Sequence, residues 1–272
     1  MAKKYTVSKI WIPAGNGRMK LLVLKPDAEN RAAQSTPGIL WIHGGGYAVG
    51  MAGMVFMSRA KRLVTEYGAV VISPEYRLAG KAPYPAALED CYAALLYMKE
   101  HAAALGCASD QIMVGGESAG GGLTAALCML ARDRGGPHIA YQFPLYPMLD
   151  DRDTPSSRDN HAPVWNTKRN HAAWKLYLKG LKDIPAYAAP ARQTDYANLP
   201  PCCTYVGDIE PFYCETLNYV ANLRKAGVKA EVDVYPDWYH AYDLFFPFTR
   251  KGKAAIAAFE NAFLRAIKKD SR

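Results

Sequence analysis

Three short segments of this 272-residue chain hold residue types that could do chemistry together: Gly116-Glu117-Ser118-Ala119-Gly120, His43-Gly44-Gly45-Gly46-Tyr47, and Asp237-Trp238-Tyr239-His240-Ala241-Tyr242. The first is read between a strand and a helix. A serine nucleophile at such a turn must adopt a strained backbone, and flanking glycines keep side chains out of the crowded elbow. The helix that follows places its N-terminus beneath the serine, where its partial positive charge favours an anion. The second segment follows a strand, and its glycines let backbone N–H groups point inward at a small anion. Together they suggest attack by Ser118 on a carbonyl carbon, with the resulting oxyanion held by N–H groups.

Positioning such groups takes a sheet. Apolar strands are expected over 38–43, 69–73, 111–115, 139–146, 203–207 and 230–235, alternating with helices over 54–67, 85–105, 119–132, 211–225 and 251–269. That alternation predicts an α/β fold with a mostly parallel sheet. Ahead of it, 4–13 and 19–25 read as a hairpin whose turn is supported by Asn16-Gly17, which makes eight strands in all. Gly68 and Gly106 stand where helices should stop, and Pro85 where one should start. One stretch breaks the alternation: 150–195 is polar and aromatic, with one expected helix and no good strand. So long a segment between sheet strands reads as a small cap inserted in a single domain spanning 1–272.

Composition narrows the function classes. Half the residues are apolar and 21% are charged, an ordinary globular balance that argues against disorder and fibrous structure. No run of about 18 apolar residues offers a membrane span, and the N-terminus has no apolar core behind its lysines, so a cytoplasmic location is expected. Six cysteines show no paired or metal-like spacing and read as reduced, mostly buried thiols. The net charge of +8 is spread in pairs such as Lys3-Lys4, Lys61-Arg62, Lys168-Arg169 and Lys268-Lys269. With no basic stripe interleaved by aromatics, a solvated surface is expected rather than a nucleic-acid or membrane partner. His43 reads as structural, His101 and His138 as solvated, and His161 and His171 lack the companions that a metal would need.

With HGGGY and GESAGG both following strands, the sequence resembles the hormone-sensitive-lipase-like branch of the α/β-hydrolase carboxylesterases, which carries HGGG and GDSAGG. The resemblance continues through Tyr76-Arg77-Leu78-Ala79 and Tyr84-Pro85-Ala86-Ala87-Leu88-Glu89-Asp90, similar to the family's YRLAPE and FPAALED. It also covers Ala189-Pro190 and Leu199-Pro200-Pro201, and spans roughly residues 38–245. It implies an α/β-hydrolase fold, a small-molecule ester substrate, no metal or organic cofactor, and a possible homodimer.

The resemblance also implies a triad. The family's G-x-x-D-P-L-x-D-E pattern, aligned on Pro211 and Glu215, puts Glu210 in the acid slot, where the family usually has Asp. Either carboxylate can hold an imidazole tautomer. Asp208, at the expected strand end, is the alternative, and both acids could instead complement the dipole of the next helix. His240 alone of the six histidines lies in a loop after the last strand, giving the order Ser118, Glu210, His240. Gly45, Gly46 and Ala119 are the expected oxyanion donors; Tyr47, Trp165 and Trp238 are the candidate substrate-binding aromatics, with core packing the alternative for each. Glu117, where the family usually has Asp, reads either as a brace for the HGGG loop or as a surface acid at a helix N-terminus. A small cap implies an open site and short acyl chains, acetyl to butyryl. Amide or formamide hydrolysis on the same triad, and non-catalytic small-molecule binding, are the alternatives.

Overall fold

The computed structural model describes residues 5–27 and 36–267. Residue 4, the end of the last helix beyond 267, and the pairs Lys3-Lys4 and Lys268-Lys269 lie outside the described residues.

The chain opens with the hairpin β1 (Tyr5–Ala14) and β2 (Gly17–Pro26). Ala14 pairs with Gly17, so the two turn residues are Gly15 and Asn16, one position earlier than the Asn-Gly reading. Gly15 takes φ 53°, and a glycine first in a two-residue turn gives the twist that hairpin strands need. The other strands are β3 (Gly38–Ile42), β4 (Val70–Pro74), β5 (Ile112–Glu117), β6 (Tyr141–Leu145), β7 (Cys202–Gly207) and β8 (Ala230–Tyr235). They form one eight-stranded sheet ordered β1-β2-β4-β3-β5-β6-β7-β8, antiparallel across β1-β2 and β2-β4 and parallel elsewhere. Strands β3, β4 and β5 are buried along their whole length, which explains their unbroken apolar runs.

Helices cover both faces. α1 (Ala60–Tyr67) and the C-terminal α8 (Arg250–Ile267) pack on one, with Leu63, Phe259 and Phe263 against Trp41 and Phe143. α2 (Ala86–Glu100), the one-turn α3 (Ala102–Leu105), α4 (Ala119–Asp133) and α6 (Tyr213–Lys225) pack on the other. The helix expected over 54–67 is divided into a 3-10 turn, Ala52–Phe56, and α1. Ser58 lies in the break: its hydroxyl donates to the Val55 carbonyl at 3.0 Å and accepts from the Ala60 N–H at 3.2 Å. Such local bonds compete with a continuous helix.

The join between β6 and β7 is unusual. Pro144 has no N–H to give, and one residue pair, Gln142 with Cys202, is in ladder register. Two backbone bonds flank the proline, Gln142 N–H to the Pro201 carbonyl and Tyr146 N–H to the Tyr205 carbonyl, both at 2.9 Å, and side chains add to them. The Thr204 hydroxyl donates to the Pro144 carbonyl. The Gln142 amide donates to the Pro200 carbonyl at 2.8 Å and accepts from the Tyr219 hydroxyl at 2.8 Å.

The segment between β6 and β7 holds α5 (Thr167–Tyr177), started by Asn166, whose side chain accepts the Arg169 N–H. Trp174 and Tyr177 of α5 are buried against Tyr47, with the Tyr47 and Tyr177 rings stacked at 3.9 Å. A last short helix, α7 (Tyr242–Phe245), follows β8. No helix among the described residues is long and apolar enough to cross a membrane.

Candidate active site

β5 ends at Glu117 and α4 begins at Ala119, leaving Ser118 alone in the turn with φ 58° and ψ −122°. A non-glycine residue in that region is strained and persists only where its surroundings over-determine it. Here they do. The Ser118 N–H donates to the Leu145 carbonyl at 3.0 Å, and its carbonyl accepts from Met148 at 3.0 Å. A Cβ on Gly120 would stand 2.1 Å from the Ile42 carbonyl oxygen, and one on Gly116 2.4 Å from the same atom. The elbow therefore packs backbone to backbone on the end of β3.

His240 sits in the loop between β8 and α7. Its Nε2 is 2.8 Å from Ser118 Oγ, and its Nδ1 is hydrogen-bonded to Glu210 Oε2. The other oxygen of Glu210 accepts the Gly207 N–H at 2.9 Å. All three side chains are buried, and Tyr146 and Phe212 each meet the imidazole edge-on at 5.0 Å. Asp208 goes elsewhere: it accepts the Asp237 N–H at 2.7 Å and so fastens the loop that carries His240. Gly207 allows this closure, because a Cβ there would lie 2.1 Å from the Trp238 carbonyl oxygen.

The glycine loop after β3 lies across the elbow, where a Cβ on Gly44 would be 2.9 Å from the Glu117 carbonyl oxygen. Gly45 and Gly46 take φ 115° and 58°. Gly45 lines one cavity with Ser118, and Ala119 opens α4, whose first-turn N–H groups have no acceptor within the helix. His43 is held beneath the loop, stacked on Tyr76 at 4.1 Å, while the Tyr76 hydroxyl donates to the His43 carbonyl at 2.9 Å. Burial pushes the His43 pKa down. The Tyr76-Arg77 motif thus supports the loop, and the bidentate Arg77–Asp90 pair ties it to α2.

Three expectations are corrected. Tyr47 lines no part of the cavity; its hydroxyl donates to the Met148 carbonyl at 3.1 Å and its ring is packed between the sheet and α5. Trp238 is stacked between Tyr235 and Tyr242 and is also buried away from the cavity. Both are core aromatics that happen to neighbour motifs in sequence. Glu117 does not brace the glycine loop; its Oε2 accepts the Trp41 indole N–H at 2.9 Å. Burial, reinforced by Asp243, pushes its pKa up to about 8.

Trp165 does line the cavity, 6.2 Å from the His240 ring and packed directly over Gly46. The cavity measures about 420 Å³; Ser58, Glu117 and Tyr146 line part of it, and Met54, Met57, Val164, Leu244 and Phe245 give it an apolar wall. None of these five carries a sequence signal beyond hydrophobicity. Among the described residues, no group of three or more His, Cys, Asp or Glu side chains is placed to hold a metal.

A sheet of this order, with a strained serine after β5, a carboxylate after β7 and a histidine after β8, defines the α/β-hydrolase class. The chain belongs to the hormone-sensitive-lipase-like Abhydrolase_3 family, whose model, described as an alpha/beta hydrolase fold, matches residues 39–244. It is 36% identical over 211 residues to Esterase LipI of Mycobacterium tuberculosis, covering 76% of this chain and 65% of that one. To Carboxylesterase NlhH of the same species it is 34% identical over 214 residues, covering 76% and 66%. The matched part is thus about two-thirds of these relatives' length. A solved structure titled Bacterial Heroin Esterase superposes with a TM-score of 0.92 at 34% identity, covering 98% of this chain and 86% of that one.

Proposed function

We propose that the protein is a serine carboxylesterase that hydrolyses short-chain acyl esters through Ser118, His240 and Glu210. The observation that carries this reading is the unbroken hydrogen-bonded line from Ser118 Oγ through both ring nitrogens of His240 to a buried Glu210. The relatives named esterase and carboxylesterase support it.

His240 Nε2 takes the Ser118 proton as Oγ attacks the ester carbonyl. Glu210, fixed by the Gly207 N–H, holds the Nδ1–H tautomer and stabilises the imidazolium. The N–H groups of Gly45, Gly46 and Ala119 receive the oxyanion, each contributing about 3–4 kcal/mol where the charge develops. The tetrahedral intermediate then collapses, the C–O bond to the alcohol breaks, and the alcohol leaves with the proton from His240. Water, deprotonated by the same imidazole, attacks the acyl-enzyme and releases the acid. The chain's own residues account for each of these steps.

The preference for acetyl to butyryl groups rests on the small segment between β6 and β7, from which Trp165 lines the cavity. The test is initial rates on p-nitrophenyl esters from acetate to palmitate, with Ser118→Ala alongside. A maximum at two to four acyl carbons that vanishes in the variant is expected. Serine-dependent cleavage of formamides but not esters would replace the proposal with the amide reading.

A further inference from the structure

The cavity at Ser118 shares part of its wall with a second concavity. Met57 and Ser58 belong both to it and to a second, open trough of about 670 Å³ on the surface. Its apolar lining is Phe56, Met57, Pro247, Phe248 and Ile256. Phe248 is 86% exposed and Met57 73%, although both are large apolar side chains. Charged heads, Lys61, Arg62, Glu66 and Lys253, stand among the residues that line it, and Arg62 is already bonded to Glu260. Cavities of about 300–1,000 Å³ hold ligands of drug size, far larger than an acetate ester of a small alcohol. Contiguous exposed apolar surface next to a cleft marks a binding region.

Which half of the ester would lie there follows from the proton's path. The leaving oxygen must come within hydrogen-bond reach of His240 Nε2. The chain that follows His240 supplies Leu244 and Phe245 to the cavity and then Pro247 and Phe248 to the trough. Gly45 and Gly46, the acceptors of the carbonyl oxygen in this scheme, belong to a different element, and Gly46 is closed over by Trp165.

The geometry points to a subsite for the alcohol half of the ester: a bulky apolar alcohol, alicyclic, aromatic or of medium chain length, lies along the trough between the 56–57 turn and Phe248. This rests on the carboxylesterase reading and adds the substrate's larger half to it. The acyl group is small and the alcohol large.

The experiment compares two mirrored series by acid release: acetates of ethanol, hexanol, cyclohexanol and 2-naphthol, and ethyl esters of acids from acetic to decanoic. Buried methylenes contribute enough that kcat/KM should rise about tenfold or more from ethyl to hexyl acetate, while the acyl series declines. In Phe248→Ser, and separately in Ile256→Ser, the ratio of kcat/KM for hexyl over ethyl acetate should fall several-fold. A rise along the acyl series instead, a flat alcohol series, or a ratio untouched by both variants would overturn the inference. So would a dimer, seen by sedimentation, that Phe248→Ser dissociates, because a second copy would then cover the trough. Loss of all Ser118-dependent ester cleavage would instead strike the carboxylesterase reading itself.

Discussion

Arg59 and Asp243, 184 residues apart, join the two walls of the candidate active-site cavity through a buried ion pair in which Nε and Nη2 both donate to Oδ2. Arg59 also donates to the Asp243 backbone carbonyl at 2.6 Å, and the Tyr205 hydroxyl to Asp243 Oδ2 at 2.6 Å. One wall is the 54–58 turn; the other is the helix that starts two residues after His240. Removing one partner of such a pair leaves a charge buried without compensation, which costs about 3–5 kcal/mol. Arg59→Met should therefore lower unfolding stability by about that amount in urea titrations, whereas replacement of an exposed partner such as Arg265 should change it by under about 1 kcal/mol.

The acid assignment separates cleanly by substitution. Glu210→Gln keeps the shape but removes the charge facing His240, and comparable changes in serine-hydrolase triads reduce kcat by about 10⁴-fold. Asp208→Asn retains an oxygen to accept the Asp237 N–H, so its kcat should stay within a few-fold of the parent. A larger loss at Asp208 than at Glu210 would reverse the assignment.

Glu117 sets a pH dependence of stability. Its folded pKa of about 8 lies above the ordinary carboxylate range, so between the two the folded chain holds a proton that the unfolded chain has released. Stability is then full below the unfolded value and declines as pH rises toward about 8. Burial pushes Glu215 in the same direction, adding to the slope. Glu117→Gln can keep the Trp41 bond without the titration. Its melting temperature should match the parent at about pH 4–5 and exceed it at about pH 9, by an amount equivalent to a few kcal/mol.

Gly120→Ala tests the close packing of the elbow. The added methyl would meet the Ile42 carbonyl at 2.1 Å and the His43 carbonyl at 2.6 Å, and neither backbone atom can yield like a flexible side chain. Displacing them moves the glycine loop and Ser118 together. We expect loss of most of the proposed esterase activity and a drop in stability of about 1–3 kcal/mol, the range for overpacking a well-filled core. Activity near that of the parent would show the elbow to be more yielding.

The residues brought together around Ser118 are legible in the sequence where chemistry or backbone geometry restricts the choice of residue. A strained serine turn demands Gly116 and Gly120, a loop crossing that turn demands Gly44, and a histidine after the last strand has few rivals. All eight strands are also legible: the buried parallel strands leave apolar runs bounded by turns, and the exposed antiparallel β1 is marked by the turn that joins it to β2. Aromatics are not restricted in this way. Tyr47 and Trp238 flank motifs yet fill the core, while Met57, Leu244 and Phe245 line the cavity with no local pattern to announce it. The break before α1 depends on one hydroxyl, Ser58, and the Arg59–Asp243 pair on contact across most of the chain. Neither leaves a periodic trace.

The proline in β6 has a further consequence. It places the thinnest backbone pairing in the sheet between the strands that carry Ser118 and those that carry Glu210 and His240. The nucleophile and its proton acceptor thus belong to opposite banks of a seam held by few backbone bonds and reinforced by side chains. Small sliding along that seam would alter the 2.8 Å separation of Ser118 and His240 while leaving each bank intact. Turnover would then fade on warming before secondary structure is lost, with Thr204, Gln142 and Tyr219 setting the temperature at which it does.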